Sequence, residues 1–198
     1  MRIITGSARG ANLETLEGEA TRPTSQRVKE AVFSMIQFEI EGRAVLDLFA
    51  GSGQLGLEAL SRGASRATFC DNSREAVEVV IRNAKKTRLF DRCRIGVNDY
   101  ATALRSMAKK EKYNLIFIDP PYAAQLCPEV LRRLAEADIC APGAIIVCES
   151  GHEDVFGGDG ELAKKYRVLK KSRYSISYVT LLTPAVEDEA NLVEDEGE

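Results

Sequence analysis

The sequence has little of what several large classes of protein require. It contains a single histidine, His152, and its five cysteines form no C-x-x-C pair. Zinc sites are built from clustered cysteine and histidine, and serine-type triads need a histidine base, so both kinds of centre are disfavoured. An odd number of cysteines instead fits reduced thiols and predicts a cytoplasmic protein.

Long apolar segments are also lacking. No run approaches the roughly 18 apolar residues that a membrane-spanning helix needs. The first ten residues, MRIITGSARG, lack the apolar centre of a secretion signal. We therefore expect no membrane partner. With 198 residues, 44% of them hydrophobic, the chain is sized for one domain with a buried core.

Basic residues are missing from the last stretch, PAVEDEANLVEDEGE, which starts at Pro184. Seven of the 30 acidic residues lie there, against none of the 27 basic ones. We expect residues 184–198 to be a solvated, disordered tail. Without it the net charge changes from −3 to a positive value, which is compatible with an RNA partner but does not indicate one.

From Ala44 onward, short apolar runs alternate with helical patterns. Strands are predicted at 44–50, 66–71, 94–98, 114–119 and 143–149, with helices between them, one of which is capped by Ser73. Continuous apolar strands separated by helices indicate an α/β fold with a parallel sheet covered on both faces. The later segment KYRVLKKSRYSISYVTLL predicts two strands without a helix between them, a closing antiparallel hairpin.

Residues 1–43 precede this alternation and are predicted to form an extension packed on it. A small β-hairpin is expected around Ala8-Arg9-Gly10. The segment TRPTSQRVKEAVFSMIQFEI then predicts a helix that Thr24 or Ser25 caps, with one apolar face. The predicted division is therefore 1–43, a main domain at 44–183, and the tail at 184–198.

A glycine-rich loop follows the first strand, where DLFAGSGQLG places Gly51-x-Gly53-x-x-Gly56 at the start of a helix. Glycines allow a sharp turn and close approach to a ligand, and a helix N-terminus favours an electronegative group. Asp71 ends the second strand, where a carboxylate can accept hydrogen bonds from ribose hydroxyls. Asp99 follows the third strand, near the expected place of an adenine ring.

A dinucleotide and S-adenosylmethionine both fit this pattern of strand, glycine turn, helix and acid. Asp47 lies within the first strand, where a carboxylate is costly unless a ligand or partner uses it. Because S-adenosylmethionine carries an ammonium group that such an acid can position, Asp47 favours S-adenosylmethionine over a dinucleotide.

The fourth strand ends in FIDPPY, which predicts a site for a planar amine. Asp119 and the Pro120 carbonyl are fixed acceptors, Pro121 stiffens the loop, and Tyr122 offers a ring on which a nucleobase can stack. Hydrogen bonds from an exocyclic NH₂ to both acceptors would free its lone pair for attack on a methyl group aligned with it. A base within a helix would first have to be flipped out.

Together, DLFAGSGQLGLEALSRGA and FIDPPY resemble class I S-adenosylmethionine-dependent methyltransferases with a [D/N]PP[Y/F] motif. With TRPTSQRVKEAVFSMI before them, the chain is similar, from about Arg2 to Leu182, to the RsmD family, which methylates guanine N2 in small-subunit (16S) ribosomal RNA. The resemblance implies a Rossmann-like sheet of seven strands, mostly parallel, ending in the antiparallel hairpin. It also implies a monomer that acts on assembled or assembling small ribosomal subunits.

The resemblance further assigns roles to individual positions. Catalysis falls to Asp119, Pro120, Pro121 and Tyr122. Cofactor contacts fall to Asp47, Ala50, Gly51, Gly53, Asp71, Asn72 and Asp99. Substrate contacts fall to Arg22, Thr24 and Arg27 of the RPTxxR segment, although the arginines could equally be solvated charges at a helix start.

Three other functions remain open from the residues. The acceptors of DPPY can bind the N6 amine of adenine as well as the N2 amine of guanine. An adenine methyltransferase acting on DNA or RNA is therefore the first alternative. An NAD-dependent oxidoreductase would need a hydride-transfer acid or base that the sequence does not show. A non-catalytic RNA-binding assembly factor could keep the fold, but the intact DPPY argues against it.

Overall fold

A computed structural model describes residues 1–16, 23–121 and 126–185, with only the backbone described at 23–25. Seven strands form one sheet, in the order β3-β2-β1-β4-β5-β7-β6. The strands are β1 (Ala44–Asp47), β2 (Arg66–Asp71), β3 (Cys93–Val97), β4 (Tyr113–Ile118), β5 (Cys140–Ser150), β6 (Tyr166–Tyr174) and β7 (Ser177–Pro184). The first five are parallel and β7 is antiparallel to both its neighbours, which confirms the predicted sheet and closing hairpin.

Helices cover both faces of the sheet. They are α1 (Pro23–Met35), α2 (Gln54–Ser61), α3 (Arg74–Lys86), α4 (Tyr100–Met107), α5 (Cys127–Ala137) and α6 (Gly160–Lys164). Alternate strand residues enter two separate cores. Phe117 and Val147 share one with α1, α2 and α3, whereas Ile118 and Cys148 share the other with α4 and α5. The continuous apolar strands are thus explained by burial on two sides.

The first residues form a narrow hairpin on the α1 side of the sheet. Arg2 and Asn12 form a single antiparallel bridge, and the Ile3 N–H donates to the Ala11 carbonyl at 3.0 Å. Ile3 and Leu13 are buried in the same core as α1. Phe33 of α1 lies 5.8 Å from Phe117, ring centroid to centroid, so this helix packs over the middle of the sheet.

Several element boundaries differ from the prediction. β1 ends at Asp47 rather than at residue 50, because the chain then leaves the sheet to form the glycine loop. β5 begins earlier, at Cys140, and Pro184 belongs to β7 rather than to the tail. The five-residue α6, which the Asp159 carboxylate caps at the Leu162 N–H, was not predicted. Ser73 caps α3 as predicted, and residues 186–198 lie outside the described residues.

Among the helices of the described ranges, none is long and apolar enough to cross a membrane.

Candidate active site

Two loops at the carboxyl edge of the sheet face one cavity of about 760 Å³. The sheet order reverses between β1 and β4, and open α/β sheets bind ligands in the crevice that such a reversal leaves. The glycine loop follows β1, and the segment beginning at Asp119 follows β4. Both loops line the cavity, so the structure brings together two motifs that are 68 residues apart in the sequence, counted from Gly51 to Asp119.

The glycine loop is a tight turn that leads directly into α2. Gly53 has φ of 78°, and its N–H donates to the Ala50 carbonyl at 2.6 Å. Gly56 serves a different purpose, since a Cβ there would lie 2.3 Å from the Phe69 ring. Glycine is thus required once for the turn and once for the close packing of α2 on β2. Ala50 and Gly51 line the cavity, whereas Gly53 does not.

Asp71 ties the end of β2 to the glycine loop. One oxygen of its carboxylate accepts from the Gly51 N–H at 2.8 Å, and the other accepts from the Ser73 N–H at 2.9 Å. The side chain is half-buried and lines the cavity beside the exposed Asn72. Each carboxylate oxygen can accept a further hydrogen bond, so Asp71 is able both to hold the loop and to receive ligand hydroxyls.

Asp99 lines the cavity after β3, the strand next to β2, and caps α4. Its carboxylate accepts from the backbone N–H of Thr102 at 2.9 Å and from its hydroxyl at 2.7 Å. These hydrogen bonds lower the pKa of Asp99. Asn98 and Tyr100 line the cavity beside it, and the Tyr100 ring lies 5.5 Å from that of Phe49. The predicted adenine end of the site therefore has polar and aromatic groups next to an acid.

Asp47 is fully buried beneath the loop and is not among the residues that line the cavity. One carboxylate oxygen accepts from the Gly56 N–H at 3.1 Å, and the other has no hydrogen-bond partner among the described residues. Burial raises the pKa of Asp47 to about 7, although the N–H groups of Gly56 and Phe49 oppose the shift. The structure thus shows Asp47 supporting the loop, and its predicted contact with an ammonium group remains a prediction.

The segment after β4 places its acceptors at the cavity. Asp119 is half-buried, Pro120 is buried and Pro121 is exposed, and all three line the cavity. Burial and the charge of Asp119 together raise the pKa of Cys127, at the start of α5, to about 11. Tyr122, the predicted stacking ring, lies outside the described residues.

The predicted substrate residues are described only in part. Arg22 and the side chain of Thr24 lie outside the described residues, whereas Arg27 is exposed on α1. Arg27 does not line the cavity, but the next two residues, Val28 and Lys29, do. The amino-terminal half of α1 therefore reaches the site that the RPTxxR segment was predicted to approach.

Sequence reasoning missed a buried ionic network beside the cavity. The Lys29 ammonium lies 3.5 Å from the Glu58 carboxylate of α2 and donates to the Arg2 carbonyl at 2.7 Å. Glu58 also accepts from the backbone N–H groups of Ile4 and Thr5, at 2.7 and 3.0 Å, and from Arg62 at 2.8 Å. Burial lowers the pKa of Lys29, and Glu58 opposes that shift. This network joins the first hairpin, α1 and α2 at one carboxylate.

Other residues that line the cavity were also missed. They are Met1, Ile118, Leu126, Val147, Glu149, Ile176 and Ser177, among others. Glu149 carried a usable signal, because it follows the buried run of β5 as Asp71 and Asp119 follow theirs. Ile176 lies in the turn between β6 and β7 and is 71% exposed. Nothing in the sequence distinguishes it from an ordinary turn residue.

No group of three or more histidine, cysteine, aspartate or glutamate side chains within 1–16, 23–121 and 126–185 is arranged to hold a metal ion.

The sheet order and the two loops define a class I S-adenosylmethionine-dependent methyltransferase. The solved structure of yhhF from Escherichia coli has the same fold, with a TM-score of 0.80 and 29% identity, and covers 94% of this chain and 99% of that one. The structure of SMU.776 complexed with SAH, at 16% identity and a TM-score of 0.68, covers 80% of this chain and 49% of that one. At that identity, the second likeness concerns the fold alone.

Sequence comparison narrows the class to one family. A family model described as "Conserved hypothetical protein 95" matches residues 1–182. Ribosomal RNA small subunit methyltransferase D of Escherichia coli (strain K12) is 35% identical over 155 residues, which cover 78% of this chain and 76% of that protein. YlbH of Bacillus subtilis (strain 168) is 40% identical over 154 residues, which cover 77% of this chain and 84% of that protein. The chain belongs to this family, the RsmD family, as its motifs predicted.

Asp71 offers a direct test of the cofactor end of the site. We expect Asp71→Ala to weaken binding of S-adenosylhomocysteine by about 2 kcal/mol, or roughly 30-fold, because a charge-assisted hydrogen bond and the anchor of the Gly51 N–H are both lost. Isothermal titration calorimetry measures the affinity. Glu75→Ala, in the exposed first turn of α3, is the matched control and should bind as the wild type does. Equal affinity in Asp71→Ala would contradict the assignment.

Proposed function

We propose that this protein transfers a methyl group from S-adenosylmethionine to the exocyclic N2 amine of a guanine in small-subunit (16S) ribosomal RNA. The observation that carries the proposal is the cavity shared by the glycine loop and by Asp119, Pro120 and Pro121. Its volume of about 760 Å³ lies within the range of small-molecule sites, and it extends from Asp99 to Glu149. The names of the family's relatives support ribosomal RNA as the substrate.

The residues of the site fit S-adenosylmethionine by their chemistry. Asp71 offers acceptors for ribose hydroxyls, and Asp99, Asn98 and Tyr100 surround the place predicted for adenine. Ala50 and Gly51 bring backbone close to the ligand without side chains that would fill the space. When bound, S-adenosylmethionine supplies an electrophilic methyl group, whose carbon–sulfur bond breaks with its electron pair staying on sulfur.

The segment after β4 prepares the amine for that transfer. Asp119 and the Pro120 carbonyl would accept the two hydrogens of the amine and so keep its lone pair out of the purine ring. As the nitrogen forms its bond to the methyl carbon, it gains positive charge, which the Asp119 carboxylate stabilises. The nitrogen then loses one proton, and Asp119 is placed to accept it and release it to solvent. Holding amine and methyl group in line supplies much of the remaining acceleration.

The substrate base has to leave its stack before it can enter the cavity. Enzymes that modify a base inside a folded nucleic acid commonly flip it into a pocket. We propose that Arg22, together with Thr24 and Arg27 of α1, contacts the RNA around the flipped base. Arg27 is exposed and lies next to residues that line the cavity. An assembled or assembling small ribosomal subunit as substrate, a monomeric enzyme and a cytoplasmic location are part of the same proposal.

The decisive experiment identifies the nucleoside that receives the methyl group. Purified protein is incubated with labelled S-adenosylmethionine and either small ribosomal subunits or free RNA, and the RNA is digested to nucleosides. We expect label in N2-methylguanosine, with subunits the better substrate. Large ribosomal subunits serve as the control and should take up little label. Label in N6-methyladenosine would instead favour the adenine methyltransferase, which the same acceptors could serve.

A further inference from the structure

Glu149 lies beside Asp119 at the carboxyl edge of the sheet. Ile118 of β4 pairs with Cys148 of β5 in a parallel register, so Asp119 and Glu149 are the next residues on two neighbouring strands. Parallel neighbours are about 4.8 Å apart. Both side chains line the same cavity, and both are half-buried. The site therefore presents two carboxylates side by side rather than one.

The alternation of the strand residues sets the direction of the Glu149 side chain. Phe117 and Val147 enter the core beneath α1, whereas Ile118 and Cys148 enter the opposite core. Glu149 follows Cys148 within β5 and so projects to the α1 side of the sheet, and Asp119 is the first residue after β4. Val179 of β7, which pairs with Glu149, also lies in the core beneath α1. Both carboxylates line the cavity, which Val28, Lys29 and Val32 of α1 also line.

Two neighbouring carboxylates repel each other, so the ligand that suits them presents hydrogen-bond donors in a row. Guanine does so, because its N1–H lies next to its N2 amine. Adenine presents an acceptor at N1 beside its N6 amine, and a second carboxylate would face that acceptor. Glu149 has interactions within the protein, and the two oxygens of a carboxylate can accept further hydrogen bonds.

We propose that Glu149 accepts the N1–H of the substrate guanine while Asp119 receives the N2 amine, and that Glu149 thereby selects guanine over adenine. This inference rests on the proposed function. A site built to accept a substrate N–H rejects an analogue that lacks it, because a buried acceptor then faces another acceptor. The choice of base is thus made at the end of β5, outside the DPPY segment that prepares the amine.

The test separates the two carboxylates with a base that keeps the 2-amino group of guanine and lacks its N1–H. Once the methylated guanosine is mapped, small subunits are assembled on RNA that carries 2-aminopurine riboside at that position. This analogue keeps the 2-amino group, has an acceptor at N1 and carries hydrogen in place of O6, so only the part of its defect that depends on Glu149 reports on N1. We expect wild-type protein to methylate it at least about 100-fold less efficiently than guanosine. Glu149→Gln should narrow that ratio by about 10-fold or more, because its amide can donate to the N1 acceptor.

Within one variant, the ratio of the methylation efficiencies on guanosine and on the analogue does not depend on how much of the protein is folded. Glu153→Gln, the same change at a position 67% exposed, is the matched control and should keep the wild-type ratio. Glu149→Ala, which removes the acceptor, is measured in the same way and should also narrow the ratio of methylation efficiencies. An unchanged ratio in both Glu149 variants, or a wild type that accepts the analogue as well as guanosine, would overturn the inference.

Failure of the proposed function would look different. In that case wild-type protein would form no N2-methylguanosine on natural subunits, whatever the Glu149 variants do. N2-methylguanosine from the wild type together with an unchanged ratio in the variants would remove only the role of Glu149.

Discussion

Asp119→Ala should lower the rate of methyl transfer by about 10²- to 10³-fold, the loss typical when one group that stabilises transition-state charge is removed. Asp119 lines the cavity at the end of β4 and is the only carboxyl group that the proposed mechanism gives to the reacting amine. Without it, the amine keeps its lone pair in the ring and the positive charge on nitrogen lacks its carboxylate. Single-turnover rates with saturating S-adenosylmethionine measure the effect on the chemical step.

Binding of the cofactor should survive the same substitution. The proposed cofactor contacts, Asp71 and Asp99, follow other strands, so affinity for S-adenosylhomocysteine should stay within about twofold of the wild type, as expected for independent sites. Asp91→Ala, at an exposed position outside the cavity, controls for loss of an acid and should retain full activity. Normal turnover by Asp119→Ala would exclude the mechanism, whereas loss of both turnover and binding would indicate a structural role.

Glu58→Ala should lower the free energy of unfolding by about 3–5 kcal/mol, the usual result of removing one partner of a buried ion pair. The Lys29 ammonium would stay buried without its counter-charge. The N–H groups of Ile4 and Thr5 would lose their acceptor, and Arg62 would lose its partner. Since Glu58 is fully buried, solvent cannot replace what the carboxylate provides. Urea unfolding followed by circular dichroism measures the loss.

Two variants calibrate this result. Glu75→Ala removes an exposed acid and should change stability by no more than about 0.5 kcal/mol. Arg62→Ala removes a partner that is 14% exposed and should cost less than Glu58→Ala. A loss in Glu58→Ala below about 1 kcal/mol would show that the first hairpin and α1 are held mainly by their apolar contacts.

The sheet and the two ligand loops could be predicted because their signals are local. Asp71 and Asp119 each end a continuous apolar run, and parallel strands bring such ends to one edge. The glycine spacing marked the turn that the positive φ of Gly53 requires. Glu149 gives the same kind of signal but belongs to no recognised motif, so only the register of β4 and β5 shows that it lies beside Asp119.

The buried ionic network could not be predicted, because no short stretch of sequence contains it. Lys29 and Glu58 each look like an ordinary charge on a helix surface. They are buried because a third segment, residues 1–13, covers them and supplies backbone donors and an acceptor. The end of β1 at Asp47 is a tertiary effect too, since Leu48 and Ala50 donate to the carbonyls of Phe117 and Cys70 as the chain turns out of the sheet.

The turn between β6 and β7 sets the size of the smallest fragment that could be active. The RPTxxR segment, the glycine loop and FIDPPY all end by Tyr122, yet Ile176 and Ser177 form part of the cavity wall. β7 also pairs with β5 along the strand that carries Glu149. A chain cut after β5 would retain all the motifs and lose one wall of its site, so a search for minimal catalytic units in this family has to count the final hairpin as part of the enzyme.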